Sequence, residues 1–116
     1  MTTRDEVEVY LEEARQLIED GQALLVMRPK NAEALLSLSM SKRAAVLEVA
    51  RLTAANYCAG PEKDRDRESQ QCWIFGCDVA GCDVYVKLVV EALPQGRRRL
   101  KILSFHQAER PLSYQF

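Results

Sequence analysis

The chain has a single histidine, and its four cysteines include no C-x-x-C pair. Both scarcities bear on metal. Structural zinc draws on paired thiolate or imidazole ligands at short spacing. Cys58, Cys72, Cys77 and Cys82 lack that pairing, and His106 stands far along the chain. The thiols therefore read as small buried hydrophobes. No apolar run approaches bilayer-spanning length. Met1-Thr2-Thr3-Arg4-Asp5-Glu6 is polar and acidic with no apolar stretch behind it, unlike a secretory signal. The expectation is a cytoplasmic protein with no membrane partner, whose cysteines stay reduced. Charge of one sign is also lacking: 16 Lys and Arg against 17 Asp and Glu give a net charge of −1 and no global pull toward nucleic acid. Internal repeats and low-complexity tracts are absent.

What is present fits one folded domain over residues 1–116, with 47% apolar and 28% charged residues. The charges are segregated. Acids outnumber bases through Asp20, whereas bases dominate from Lys87 to Lys101, where Arg97, Arg98, Arg99 and Lys101 cluster. A local basic patch can bind phosphate while distant acids cancel it in the sum.

The first half has helical spacing. Thr3 and Glu6 match a capping box, and Val7, Tyr10, Leu11, Ala14, Leu17 and Ile18 form one stripe that Gly21 ends. Leu24 to Met27 fits either a strand or a helical turn. Arg28-Pro29-Lys30-Asn31 reads as a turn, with Asn31 as a cap for Ala32 to Leu38. Ser41 caps a third helix with Ala44, Ala45, Leu47, Val49 and Leu52 on its buried side. Thr53 caps a short fourth that ends at Gly60-Pro61. From Pro61 to Gln71 the composition is that of an exposed loop.

The period then changes. Cys72 to Asp78 and Cys82 to Leu93 are rich in β-branched and aromatic residues, with Gly81 marking a tight hairpin. Pro94-Gln95-Gly96 is a further turn, and Leu100 to His106 a third strand. The expected fold class is α+β, with N-terminal helices packed on a C-terminal three-stranded antiparallel meander.

A two-residue loop at Ala80-Gly81 sets Val79 against Cys82, Cys77 against Val84, Phe75 against Val86 and Trp73 against Leu88, all on one core side. Ile74, Gly76, Asp78, Asp83, Tyr85 and Lys87 take the other side, with Gly76 facing Tyr85. On the third strand, Leu103 and Phe105 share one face, and Ser104 and His106 the other. With Phe105 in the core, His106 joins Tyr85 and Lys87.

Trp73-Ile74-Phe75-Gly76, Val84-Tyr85-Val86-Lys87-Leu88 and Ile102-Leu103-Ser104-Phe105-His106, with Ala108-Glu109-Arg110-Pro111-Leu112 close behind, resemble toxins of the motility quorum-sensing regulator family over roughly residues 10 to 116. The resemblance implies a RelE-like fold, metal-independent cleavage of messenger RNA without the ribosome, and neutralisation by a cognate antitoxin protein. It puts the family's strand tyrosine on Tyr85 and its last basic residue on His106, where better known members carry lysine. Two other polar positions of the pattern fall on Cys58 and Ile74.

Attack by the RNA's own 2′-OH needs a base, an acid at the leaving 5′-oxygen, and positive charge on the phosphorus. An imidazole, which titrates near neutrality, suits either proton role and makes His106 the candidate. Lys87 is placed to hold the phosphate, Tyr85 to stack or donate a proton, and Arg97, Arg98, Arg99 and Lys101 to draw in the RNA backbone. No cofactor is needed. Plainer roles compete: a hydrogen-bonded strand-end histidine, a packed tyrosine, a solvated strand lysine and a solvated hairpin tip. Two other functions compete as well, namely a catalytically weak module that binds RNA or a protein, and a thiol site of Cys72, Cys77 and Cys82.

Overall fold

The computed structural model describes residues 1–63 and 70–116. Helix α1, Arg4–Glu19, opens on the expected capping box: the Glu6 N–H donates to the Thr3 hydroxyl (3.2 Å) and the Thr3 N–H to Glu6 Oε1 (2.9 Å). Val7, Leu11 and Ala14 are buried, and Tyr10, Leu17 and Ile18 pack against the same core. The helix closes as a Schellman motif, with Gly21 N–H donating to the Ile18 carbonyl and Gln22 N–H to that of Leu17. This turn delivers the chain directly into strand β1, Ala23–Leu25, so a strand resolves the ambiguity at Leu24–Met27.

Helix α2, Pro29–Ser37, starts earlier than the capping reading placed it. Proline is pre-organised for the first helical position, so Pro29 sets the start and Arg28 is the N-cap residue. Asn31 lies inside the helix, where its side chain serves the sheet instead of the helix end. Helix α3, Lys42–Ala50, does begin at Ser41, whose Oγ accepts from the Ala44 N–H (3.0 Å). It buries Ala45 and Val49 but leaves Leu47 exposed, contrary to its assignment to the buried side. The helix expected after Thr53 shrinks to the 3-10 turn Ala54–Asn56, and the chain then extends as strand β2, Tyr57–Lys63. Pro61 to Lys63 and Gln71 thus belong to strands; residues 64–69 of the expected loop lie outside the described residues.

Strands β3, Gln71–Val79, β4, Cys82–Ala92, and β5, Arg98–Gln107, complete a five-stranded mixed sheet of order β1-β5-β4-β3-β2. Among the described residues the fold is α+β, with three α-helices. The sheet expected from the sequence was a three-stranded meander; the observed one is larger because β1 joins β5 in parallel and β2 joins β3. The β3–β4 register runs from Val79↔Cys82 to Trp73↔Leu88 without interruption. Between β4 and β5 it slips once: Lys87 pairs with Ser104 but Leu88 with Ile102, leaving Leu103 as an extra residue. A β-bulge of this kind turns neighbouring side chains toward one face. Leu103 accordingly leaves the expected face of Phe105 and packs with Cys72, Ile74 and Val89 in a second apolar cluster. The main core lies on the helix-covered face, with Phe75, Val84, Val86, Leu88, Leu100, Ile102 and Phe105 nearly fully buried.

Candidate active site

Strand alternation brings three of the singled-out residues to one face. Tyr85 pairs directly with His106, Lys87 with Ser104 in the next register position, and Gly76 faces Tyr85 from β3. The Tyr85 and His106 rings stack with centroids 5.4 Å apart and planes 27° from parallel. His106 Nδ1 lies 3.0 Å from the Gln107 carbonyl oxygen. A carbonyl can only accept, so Nδ1 carries the proton in the neutral ring and Nε2 keeps the lone pair of a base. Burial raises the Tyr85 pKa above its ordinary value, while the charge of Lys87 pulls the other way. The phenol therefore keeps its proton at neutral pH and acts as a donor.

Helix α2 adds groups that the linear pattern does not reveal. Where β1 ends, Asn31 takes over as the partner of β5: its amide donates to the carbonyls of Leu103 (3.0 Å) and Val26 (2.7 Å), and its oxygen accepts from the Phe105 N–H (3.0 Å). These bonds fix the start of α2 beside His106. A hollow of about 450 Å³ results, lined by Arg28, Lys30, Asn31, Ser104 and His106. On its other side His106 borders a second hollow of about 310 Å³ with Glu33 and Glu109 in its wall. Lys30 forms an ion pair with Glu109 that holds the Glu109 carboxyl below the usual range, chiefly through the hydrogen bond between them. The one sequence signal for Arg28 and Lys30 was Pro29, which marks where a helix begins.

No protein-family model matches the chain, and neither a curated protein nor a solved structure matches it.

Arg97, Arg98, Arg99 and Lys101 are not brought to this site. They lie toward the opposite end of β5, five to nine residues before His106, on the order of 15–30 Å away at roughly 3.3 Å per strand residue. They do not form one surface either. Arg98 turns to the helix side and pairs with Glu13 of α1 (2.7 Å), whereas Arg99 (2.6 Å) and Lys101 (3.8 Å) pair with Glu91. Lys101 is only 8% exposed. Arg97 is exposed, its Nε 3.5 Å from the Pro94 carbonyl. Glu91 is held below the ordinary carboxylate range, first by the hydrogen bond from Arg99.

The sheet also separates the thiols: Cys77 is in the main core and Cys72 in the second cluster. Among the described residues no group of three or more His, Cys, Asp or Glu side chains could hold a metal ion, and no helix is long and apolar enough to cross a membrane. Ile74 is buried in the second apolar cluster beside Tyr85, and Cys58 packs against it. Residues 108–116 cross the same face. Ala108 N–H donates to the Asp83 carbonyl and Gln115 N–H to that of Tyr57. Between these anchors the side chains of Leu112 and Tyr114 lie over Gly76, where a Cβ would come within 2.8 Å of the Tyr114 hydroxyl.

Proposed function

We propose that the protein is a metal-independent endoribonuclease of the kind its resemblance to motility quorum-sensing regulator toxins implies. In this reading it acts in the cytoplasm on messenger RNA and is restrained by a cognate antitoxin protein. The observation that carries the proposal is the directly paired, stacked Tyr85 and His106, with Nδ1 committed to a carbonyl and a cation-lined hollow alongside. His106 Nε2 takes the proton of a 2′-hydroxyl, and the 2′-oxygen attacks phosphorus. The bond to the 5′-oxygen breaks, and that oxygen takes the Tyr85 phenolic proton. The products are a 2′,3′-cyclic phosphate and a 5′-hydroxyl. Lys87 and Arg28 supply positive charge to the phosphorane-like transition state, and Lys30 joins them when phosphate displaces Glu109.

Induced expression in growing bacterial cells tests this. The wild-type chain should arrest growth and degrade messenger RNA, and Tyr85→Ala and His106→Ala should relieve both. Harmless expression of a folded wild-type chain with intact RNA contradicts the proposal.

A second reading is favoured by Cys58 and Ile74, apolar-cluster residues at the two positions where the resembled toxins carry polar groups. A site short of two polar groups suits a module that holds RNA or a protein partner without cutting. RNA binding that survives in the purified protein while cleavage is absent would select it.

A further inference from the structure

At the opposite end of the sheet, on the helix-covered side, a hollow of about 690 Å³ opens between α1 and strands β3 to β5. Its wall holds Tyr10 stacked on Trp73, with centroids 4.3 Å apart and planes 13° from parallel. The Tyr10 hydroxyl and the Gln70 side-chain oxygen, both from residues lining this hollow, are withdrawn from solvent and have no hydrogen-bond partner among the described residues. Leaving a buried polar atom unpaired is costly, so two at one wall are a standing penalty that a bound molecule can remove. Among the described residues the Gln70 amide is tethered by a long bond from its nitrogen to Glu91 (3.4 Å).

The charges narrow the class of ligand. Glu13 is matched by Arg98, and Glu91 by Arg99 and Lys101, while Lys63 adds a further cation at the rim. The charged residues that line the hollow balance, Lys63 and Arg98 against Glu13 and Glu91, and Arg99 and Lys101 neutralise Glu91 from the other face of the sheet. With Glu13 matched by Arg98 as well, Lys63 is left to meet an anionic group on a ligand whose planar, partly apolar body lies against the aromatic wall. We propose that this hollow binds a nucleotide, the base against Tyr10 and Trp73 with its edge hydrogen-bonded to Gln70 and the Tyr10 hydroxyl, and the phosphate toward Arg98 and Lys63. The source is either a free nucleotide or one residue of single-stranded RNA. The site does not depend on cleavage at Tyr85 and His106.

Trp73 is the chain's only tryptophan, so its emission reports the hollow directly. Titration of the purified chain with adenosine 5′-monophosphate should give a saturable change in emission that ribose 5-phosphate does not reproduce. Tyr10→Phe and Gln70→Leu should each weaken binding about tenfold, the equivalent of one hydrogen bond. Tyr10→Phe should also leave the thermal midpoint unchanged or higher, because it deletes an unpaired hydroxyl. His106→Ala should bind as the wild type does, which separates this site from the cleavage proposal. Tighter binding of a short oligoribonucleotide than of the mononucleotide identifies RNA as the source, and the reverse order a free nucleotide. No saturable change with either, an equal response to ribose 5-phosphate, competition by free arginine alone, or variants that bind like the wild type would each overturn the proposal.

Discussion

His106 and Asn31 show how single side chains are committed by what surrounds them. The imidazole has one nitrogen bound to a backbone carbonyl, and its ring is packed on Tyr85, so its tautomer and orientation are set before substrate arrives. His106→Ala should lower RNA cleavage about a hundredfold or more, the usual scale for losing a general base, without unfolding the chain, because the residue is only half-buried. Asn31 is the opposite case, a structural polar residue 1% exposed. Asn31→Leu leaves the Phe105 N–H and the Leu103 carbonyl unpaired in the interior. We expect a loss of about 2–3 kcal/mol in urea unfolding, together with weaker RNA binding as α2 loosens beside His106. That Tyr85 and His106 share a face was legible in the sequence once Phe105 was assigned to the core, because side chains alternate along a strand; their direct pairing was not. Nor was the role of Asn31. A helix-cap reading is a local inference, and two of the partners of Asn31, Leu103 and Phe105, lie more than 70 residues away.

Turns and strands carry their own tests. The β3–β4 hairpin closes through Ala80 and Gly81, both at positive φ (52° and 82°), as the tight turn that matches strand twist requires. An alanine is strained there, whereas asparagine and glycine are not. Ala80→Asn should stabilise the chain by about 0.5–1 kcal/mol, read as a higher thermal midpoint. At the far end of the same strands, Glu91 is held in its charged form by Arg99. Its pKa is lower folded than unfolded, so its contribution is complete above the ordinary carboxylate range and is lost as pH falls through the lowered value. Glu91→Gln should therefore flatten the decline of stability with acid in the interval below 4.5. The sheet itself was legible only where pairing is local. β1 is three residues long and pairs in parallel with residues 100–102, a contact that no window of sequence contains. β2 follows a capped turn and includes Gly60-Pro61, which read as a helix end because proline is rare in strands other than edge strands such as this one.

Across the whole molecule the Tyr85 face is bounded by two distant parts of the chain, α2 on one side and residues 108–116 on the other. The second boundary rests on Gly76, which leaves room for Leu112 and Tyr114. Gly76→Val should lift this segment, seen as faster amide hydrogen exchange at Gln115, whose N–H donates to Tyr57. On the first side, Glu109 holds the charge of Lys30. Glu109→Gln should release it, tightening RNA binding and steepening its salt dependence by about one counterion. The measurement closest to the centre is cleavage of an unstructured RNA by purified protein in excess chelator, with the product ends identified. We expect 2′,3′-cyclic phosphate and 5′-hydroxyl ends, formed by the wild type and lost in His106→Ala. Ends of the opposite polarity, or equal cleavage by His106→Ala, would contradict the assignment of His106 as the base.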